Sequence, residues 1–209
     1  MEMESYINEL ASNSPAPGGG SVSALAGSLA NALGTMVFNL TIGKKIFHTY
    51  EKNLQDIITD SLQVVQAQRK EFLVLMDKDT EAFMKVMEAF KLPKSTEEEK
   101  EVRNQKIQES YVSALEVPYE VAKKALKTYE YILIACKYGN KNAISDVGVA
   151  TLMTASSVEG AILNVKINLS GLKDEVYKNE MYMKCDEMLR ESETKKAEIM
   201  KIVNSKIQP

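Results

Sequence analysis

Apolar side chains recur at steps of three and four along most of the chain, and no period-two run of β-branched residues bounded by turn residues interrupts them. The pattern predicts an all-α fold, a multihelical up-and-down bundle with long helices. A short helix over 2–11 precedes Ser14-Pro15-Ala16-Pro17-Gly18-Gly19-Gly20-Ser21, a rigid-then-flexible loop leading into a second helix that ends near Gly43. An amphipathic helix over 51–92 follows and stops at Pro93. Ser95 with Glu98 three residues on reads as a capping box for the next helix. That helix meets Pro118 as either a kink or a new start and continues to Gly139-Asn140. Ser145-Asp146 opens a helix reaching Leu169, and Gly171 separates it from a last one over 173–205. Nothing reads as an internal repeat or interdomain linker, so residues 1–209 are expected to form a single domain.

Two of these helices have divided faces. In the second, Val22, Leu25, Leu29, Leu33, Met36 and Leu40 form one stripe, expected to anchor the helix in its own core. The opposite face carries Ala24, Gly27, Ser28, Asn31, Gly34 and Thr35, smooth enough for another backbone or a flat ligand, with Asn31 offering hydrogen bonds. The helix reaching Leu169 repeats the design, with Val158, Ile162, Val165 and Leu169 on one side and Ala150, Thr154, Ser157, Ala161, Asn164 and Asn168 on the other. Close helix packing accounts for both small-residue faces, and a polar-lined groove or a subunit interface is the sharper reading. Uncharged faces of this kind predict a homodimer joined through them, with Gly27 and Gly34 at the contact.

Candidate chemistry centres on two places. The glycines after Pro17 put unhindered amides of Gly18, Gly19, Gly20 and Ser21 at a helix start, where the dipole and unpaired N–H groups suit an anion or a polar ligand edge. A flexible N-cap explains the same residues as well. The segment is not a P-loop: Gly43-Lys44 has Phe38 where the earlier glycine should stand, and no Ser or Thr after the lysine. On the 51–92 helix the stripe Phe72, Met76, Phe83, Val86 and Phe90 includes position 79, which is Asp79. A carboxylate there is either paired with a lysine or arginine or desolvated for proton transfer. Asp77 points to another face. Asp146 reads first as a helix cap, and His48, the lone histidine, as a surface residue. Lys44 and Lys45 are a solvated pair or an attraction for an acidic ligand tail.

Composition narrows the class. A net charge of −3 gives no broad attraction to nucleic acid or anionic lipid. The 11–43 stretch has no charged residue, but Ser23, Ser28, Asn31, Thr35 and Asn39 break its apolar run, which predicts a buried helix rather than a membrane span. Cys136 and Cys185 lack ligand spacing and read as reduced thiols, no metal site is legible, and the acidic N-terminus carries no secretory signal. The expected location is the cytoplasm.

Taken together, Pro-Ala-Pro-Gly-Gly-Gly-Ser-Val at 15–22 and Asp-Lys-Asp-Thr-Glu-Ala-Phe at 77–83 resemble the cyclodeaminase part of the formiminotransferase-cyclodeaminase family. So do Leu92-Pro93-Lys94, Val117-Pro118, Gly139-Asn140 with Ser145-Asp146, and Asn164-Val165-Lys166-Ile167-Asn168-Leu169. The order and spacing agree from Tyr6 to Ala197. The resemblance implies an all-α dimer acting on a one-carbon derivative of tetrahydrofolate, with or without a polyglutamate tail, and no metal or redox cofactor. It implies formiminotetrahydrofolate cyclodeaminase activity first, in which methenyltetrahydrofolate closes as ammonia leaves. Methenyltetrahydrofolate cyclohydrolase activity at the same site is the alternative. It also implies a proton acceptor in the Asp-x-Asp motif, which both Asp77 and Asp79 match; the stripe selects Asp79, with Asp146 next. Pro17 to Ser21, Asn31, Lys44 and Asn164 are the expected substrate contacts. A helical interaction protein without chemistry is the reading from another class.

Overall fold

The computed structural model describes residues 3–207, and among them it is helical without a strand. The helices are α1 (Met3–Leu10), α2 (Gly19–Asn39), α3 (Lys45–His48), α4 (Lys52–Lys91), α5 (Glu97–Tyr138), α6 (Ile144–Ser170) and α7 (Glu175–Ile207), with a 3-10 turn at Lys141–Ala143 before α6. The first and last expected helices extend beyond the described residues at 2 and lie inside them at 205.

Helices α2, α4, α5 and α6 form a ring in which each packs on its neighbours, and α7 lies along the groove between α5 and α6. Direction follows from matched positions. Gly27 meets Phe72 and Gly34 meets Val65, so α2 and α4 run antiparallel. Arg103 meets Phe90 and Lys124 meets Glu71, and Gln108 meets Gly171 while Ala114 meets Asn168, giving the same relation between α4 and α5 and between α5 and α6. The up-and-down expectation holds. A single large apolar cluster, with Phe38, Phe72, Tyr129, Ile132, Ile162 and Leu169 fully buried, fills the ring.

The faces of α2 are the reverse of the expectation. Ala24, Gly27, Ser28, Asn31, Gly34 and Thr35 point inward and are buried, while Val22, Leu29, Met36 and Leu40 are 38%, 43%, 37% and 40% exposed. The cause is spacing: α2 sits against three other helices at once, and only small side chains let all three approach. A Cβ on Gly27 would stand 2.6 Å from the Phe72 ring, and one on Gly34 3.1 Å from Ile132 Cδ1. The expected dimer contact through these glycines is therefore corrected, because that face is used up within one chain. The uncharged helix is long and apolar enough to cross a membrane by composition, yet most of its most apolar window is buried in the bundle.

Local boundaries shift in explicable ways. Helix α2 stops at Asn39, not Gly43; Gly43 takes a positive φ of 76° and turns the chain into α3. The capping box lies one residue later than expected, with Thr96 Oγ1 accepting from the Glu99 amide at 3.2 Å and Glu99 Oε2 accepting from the Thr96 amide at 3.2 Å. Pro118 neither ends nor starts a helix, since α5 runs through it for 42 residues. At 40 and 42 residues, α4 and α5 far outrun the 21 residues of α2, about 60 Å against about 30 Å of axis. Where α2 begins, the α4–α5 pair continues without it, and the space left there is the candidate site.

Candidate active site

A cavity of about 350 Å³ lies at this step, within the range of about 300–1,000 Å³ usual for small-molecule pockets. Its roof is the Pro15–Gly20 loop and the first turn of α2. One wall is α4, through Asp79, Phe83, Val86 and Phe90; the others are α5, through Tyr111 and Ala114, and α6, through Asn164, Ile167 and Asn168. The α4 stripe is thus continuous with the core at Phe72, which is fully buried, and becomes a cavity wall from Asp79 onward, leaving Phe83 and Phe90 more than a third exposed.

Asp79 is held there by backbone. Its carboxylate lies against the Cα of Gly20, where any Cβ would collide with it, so the position requires glycine. Burial is the larger influence and lifts its pKa from 3.8 to about 6; the backbone N–H of Ser21 acts in the opposite direction, and no cation contributes. No lysine or arginine among the described residues acts on it, which favours the desolvated reading over the paired one. Ser21 is itself fixed from behind, its Oγ 3.0 Å from the buried hydroxyl of Tyr6 on α1. A Cβ on Gly18 would meet nothing within 4 Å, whereas one on Gly19 would stand 3.1 Å from Asn164 Nδ2. The first intrahelical bond of α2 runs from the Val22 amide to the Gly18 carbonyl, which leaves the amides of Gly19 and Gly20, both bordering the cavity, without a helical partner.

Other expected residues fall elsewhere. Asp77 is exposed and borders a separate depression with Tyr6, Glu9 and Pro17, on the far side of the glycine loop. Asn31 is fully buried, its Nδ2 donating to the Gly27 carbonyl at 2.8 Å and to Thr128 Oγ1 at 3.2 Å; it is a core residue and not a ligand contact. Lys44 is exposed beyond the opposite end of α2, too far to meet a ligand in this cavity. Asp146 sits in the first turn of α6, 18 residues and about 27 Å of helix from Asn164. His48 is exposed. The sequence placed Asn168 on the polar face of its helix without assigning it to the site, and it did not single out Tyr111, Met87 or Ser170, which come from three helices and share no local pattern. Among the described residues no group of three His, Cys, Asp or Glu side chains is placed to hold a metal ion.

A half-buried carboxylate with no cation beside it, set against a glycine-rich helix start, has the makeup that proton transfer requires. The formiminotransferase-cyclodeaminase profile matches residues 2–187. The chain belongs to this family. It is 36% identical over 205 residues to the methenyltetrahydrofolate cyclohydrolase of Methylorubrum extorquens, covering 98% of this chain and 97% of that one. It is 34% identical over 201 residues to the formimidoyltransferase-cyclodeaminase of Gallus gallus, where the match spans 96% of this chain and 36% of the longer protein. The crystal structure of formiminotetrahydrofolate cyclodeaminase from Thermotoga maritima superposes with a TM-score of 0.86 at 27% identity, over 99% of this chain and 98% of that one. The family relation thus spans the ring of helices and every element lining the cavity.

Proposed function

We propose that this chain is a folate enzyme that hydrolyses the methenyl bridge of methenyltetrahydrofolate, with Asp79 as proton acceptor. The observation that carries the reading is Asp79 itself: a carboxylate lodged in a cavity, without a cation, with its pKa raised to about 6. Such a group is mostly ionised at neutral pH yet basic enough to take a proton. The methenyl carbon lies between two ring nitrogens. Water adds to it while Asp79 removes one of the water's protons, forming a tetrahedral carbon that carries a hydroxyl; that proton then passes to one nitrogen as its bond to carbon breaks, and the hydroxyl proton leaves to solvent as the formyl C=O forms on the other. Phe83, Phe90 and Tyr111 offer apolar and aromatic surface to the ring system, and the free Gly19 and Gly20 amides suit a ring carbonyl. A non-catalytic scaffold would have no use for a desolvated carboxylate that constrains position 20 to glycine.

The hydrolytic direction is favoured by the Methylorubrum extorquens enzyme, which this chain matches from end to end. A second reading, ring closure of formiminotetrahydrofolate with loss of ammonia, is favoured by the Thermotoga maritima structure. It uses the same machinery: one nitrogen attacks the formimino carbon, Asp79 takes its proton and delivers it to the departing amine. The deciding experiment presents both substrates to the purified protein and follows the methenyl absorbance, which falls on hydrolysis and rises on cyclisation. Absence of either change would refute the folate reading.

A further inference from the structure

We infer that Asn164 and Asn168 read the hydrogen-donating edge of the pteridine ring, and that Pro118 on the facing helix fixes one of them in that role; this rests on the folate reading above. The two asparagines lie one turn apart on the same side of α6 and border the cavity. Their amide polarity is forced. Asn164 Nδ2 donates to the Gly160 carbonyl at 2.8 Å, and Asn168 Nδ2 donates to the Ala114 carbonyl at 3.0 Å. A carbonyl oxygen only accepts, so in each case the NH₂ group must face it and Oδ1 must face the other way.

The Ala114 carbonyl is available for a structural reason. In an uninterrupted helix it would accept from the amide of residue 118, but that residue is proline and has no N–H. Helix α5 nevertheless continues, and Asn168 supplies the missing donor across the helix contact. Both Oδ1 atoms are thereby left without a hydrogen-bond partner among the described residues. With the Asp79 carboxylate across the cavity, no lysine or arginine among its lining residues, and Ser170 Oγ already donating to the Ile167 carbonyl, the side chains of the walls present mainly acceptors, Tyr111 adding one hydroxyl that can serve either way. A matching ligand must bring N–H donors. The 2-amino-4-oxopyrimidine end of a reduced pteridine carries them on its amino group and ring nitrogens, whereas the glutamate end of the same molecule carries carboxylates that these walls would repel. The pteridine therefore enters with its amino-pyrimidine edge toward α6, and the tail leaves by the open side.

The test compares binding of tetrahydrofolate and its 2-desamino-2-methyl analogue by calorimetry. Wild-type protein should bind tetrahydrofolate at least about tenfold more tightly, since the analogue strands a polar acceptor. Asn164→Ala and Asn168→Ala should each reduce that preference, and together bring it to within about twofold. Pro118→Ala returns a donor to the Ala114 carbonyl, releases Asn168, and should reduce the preference while helicity by circular dichroism is retained. Equal binding of both ligands by the wild type overturns the inference without needing any variant. So does full preference in the folded double variant. If the wild type binds neither ligand, the folate reading falls with it.

Discussion

At the scale of single residues, the site is built from one conflict: Asp79 is placed where water is scarce and no cation answers it. Folding raises its pKa from 3.8 to about 6, so the stability this group contributes is fully present below pH 3.8 and is lost as pH rises through 6. At neutral pH the ionised carboxylate therefore weighs against the fold by up to about 3 kcal/mol. Asp79→Asn should stabilise the protein at pH 8 by an amount approaching this and have little effect at pH 3.5, as measured by urea unfolding. A difference independent of pH would contradict the burial argument. The same substitution should reduce kcat by roughly 10²–10⁴-fold, whereas Asp77→Asn, exposed on the other side of the loop, should leave it near wild type. The wild-type rate should fall on the acid side with an apparent pKa near 6. Glycine positions sharpen the test: Gly18→Ala meets empty space and should be tolerated, while Gly20→Ala drives a methyl into the Asp79 carboxylate and should abolish turnover.

At the scale of elements, helix existence and order were legible because the 3.6-residue period is strong in long helices, and Pro93 and Gly171 punctuate it. The direction in which α2 faces was not. Periodicity separates two faces but does not say which one a neighbour covers, and the usual preference for burying the bulkier side fails where a helix is packed on three sides. Asp79 was legible as the polar residue in an apolar stripe. Asn168 was not, because its importance depends on Pro118 in another helix, and Asn31 was misread because the polar core network of Asn31, Thr128 and Gln68 leaves no trace in either helix alone. The packing account makes its own prediction. Gly27→Val should clash with Phe72 and lower stability by about 1–3 kcal/mol or more, seen as a reduced melting temperature. Unchanged stability would mean that the α2–α4 contact is looser than the 2.6 Å between a Cβ at position 27 and the Phe72 ring implies.

For the whole molecule, the reversal of α2 moves the surface on which a second copy should sit. Val22, Leu29, Met36 and Leu40 form an outward stripe on α2, and Val149, Leu152, Leu163 and Ile167 form another on its antiparallel neighbour α6, with Leu163 68% and Ile167 66% exposed. Gly160 and Ser23 draw the two helices together, so the stripes lie side by side as one apolar face without a charge from α2. A face of this kind is costly to leave in water, and a two-fold contact would cover it with the same face of a second copy. The expected homodimer should therefore form through the large residues, not the glycines. Ile167 belongs both to this face and to the cavity lining, so association should also shield the mouth of the site. Light scattering at micromolar concentration should give a dimer for the wild type and a folded monomer for the Leu29→Lys, Leu163→Lys double variant, which should also bind folate more weakly. A wild-type monomer, or a double variant that still dimerises, would show that this face has another use.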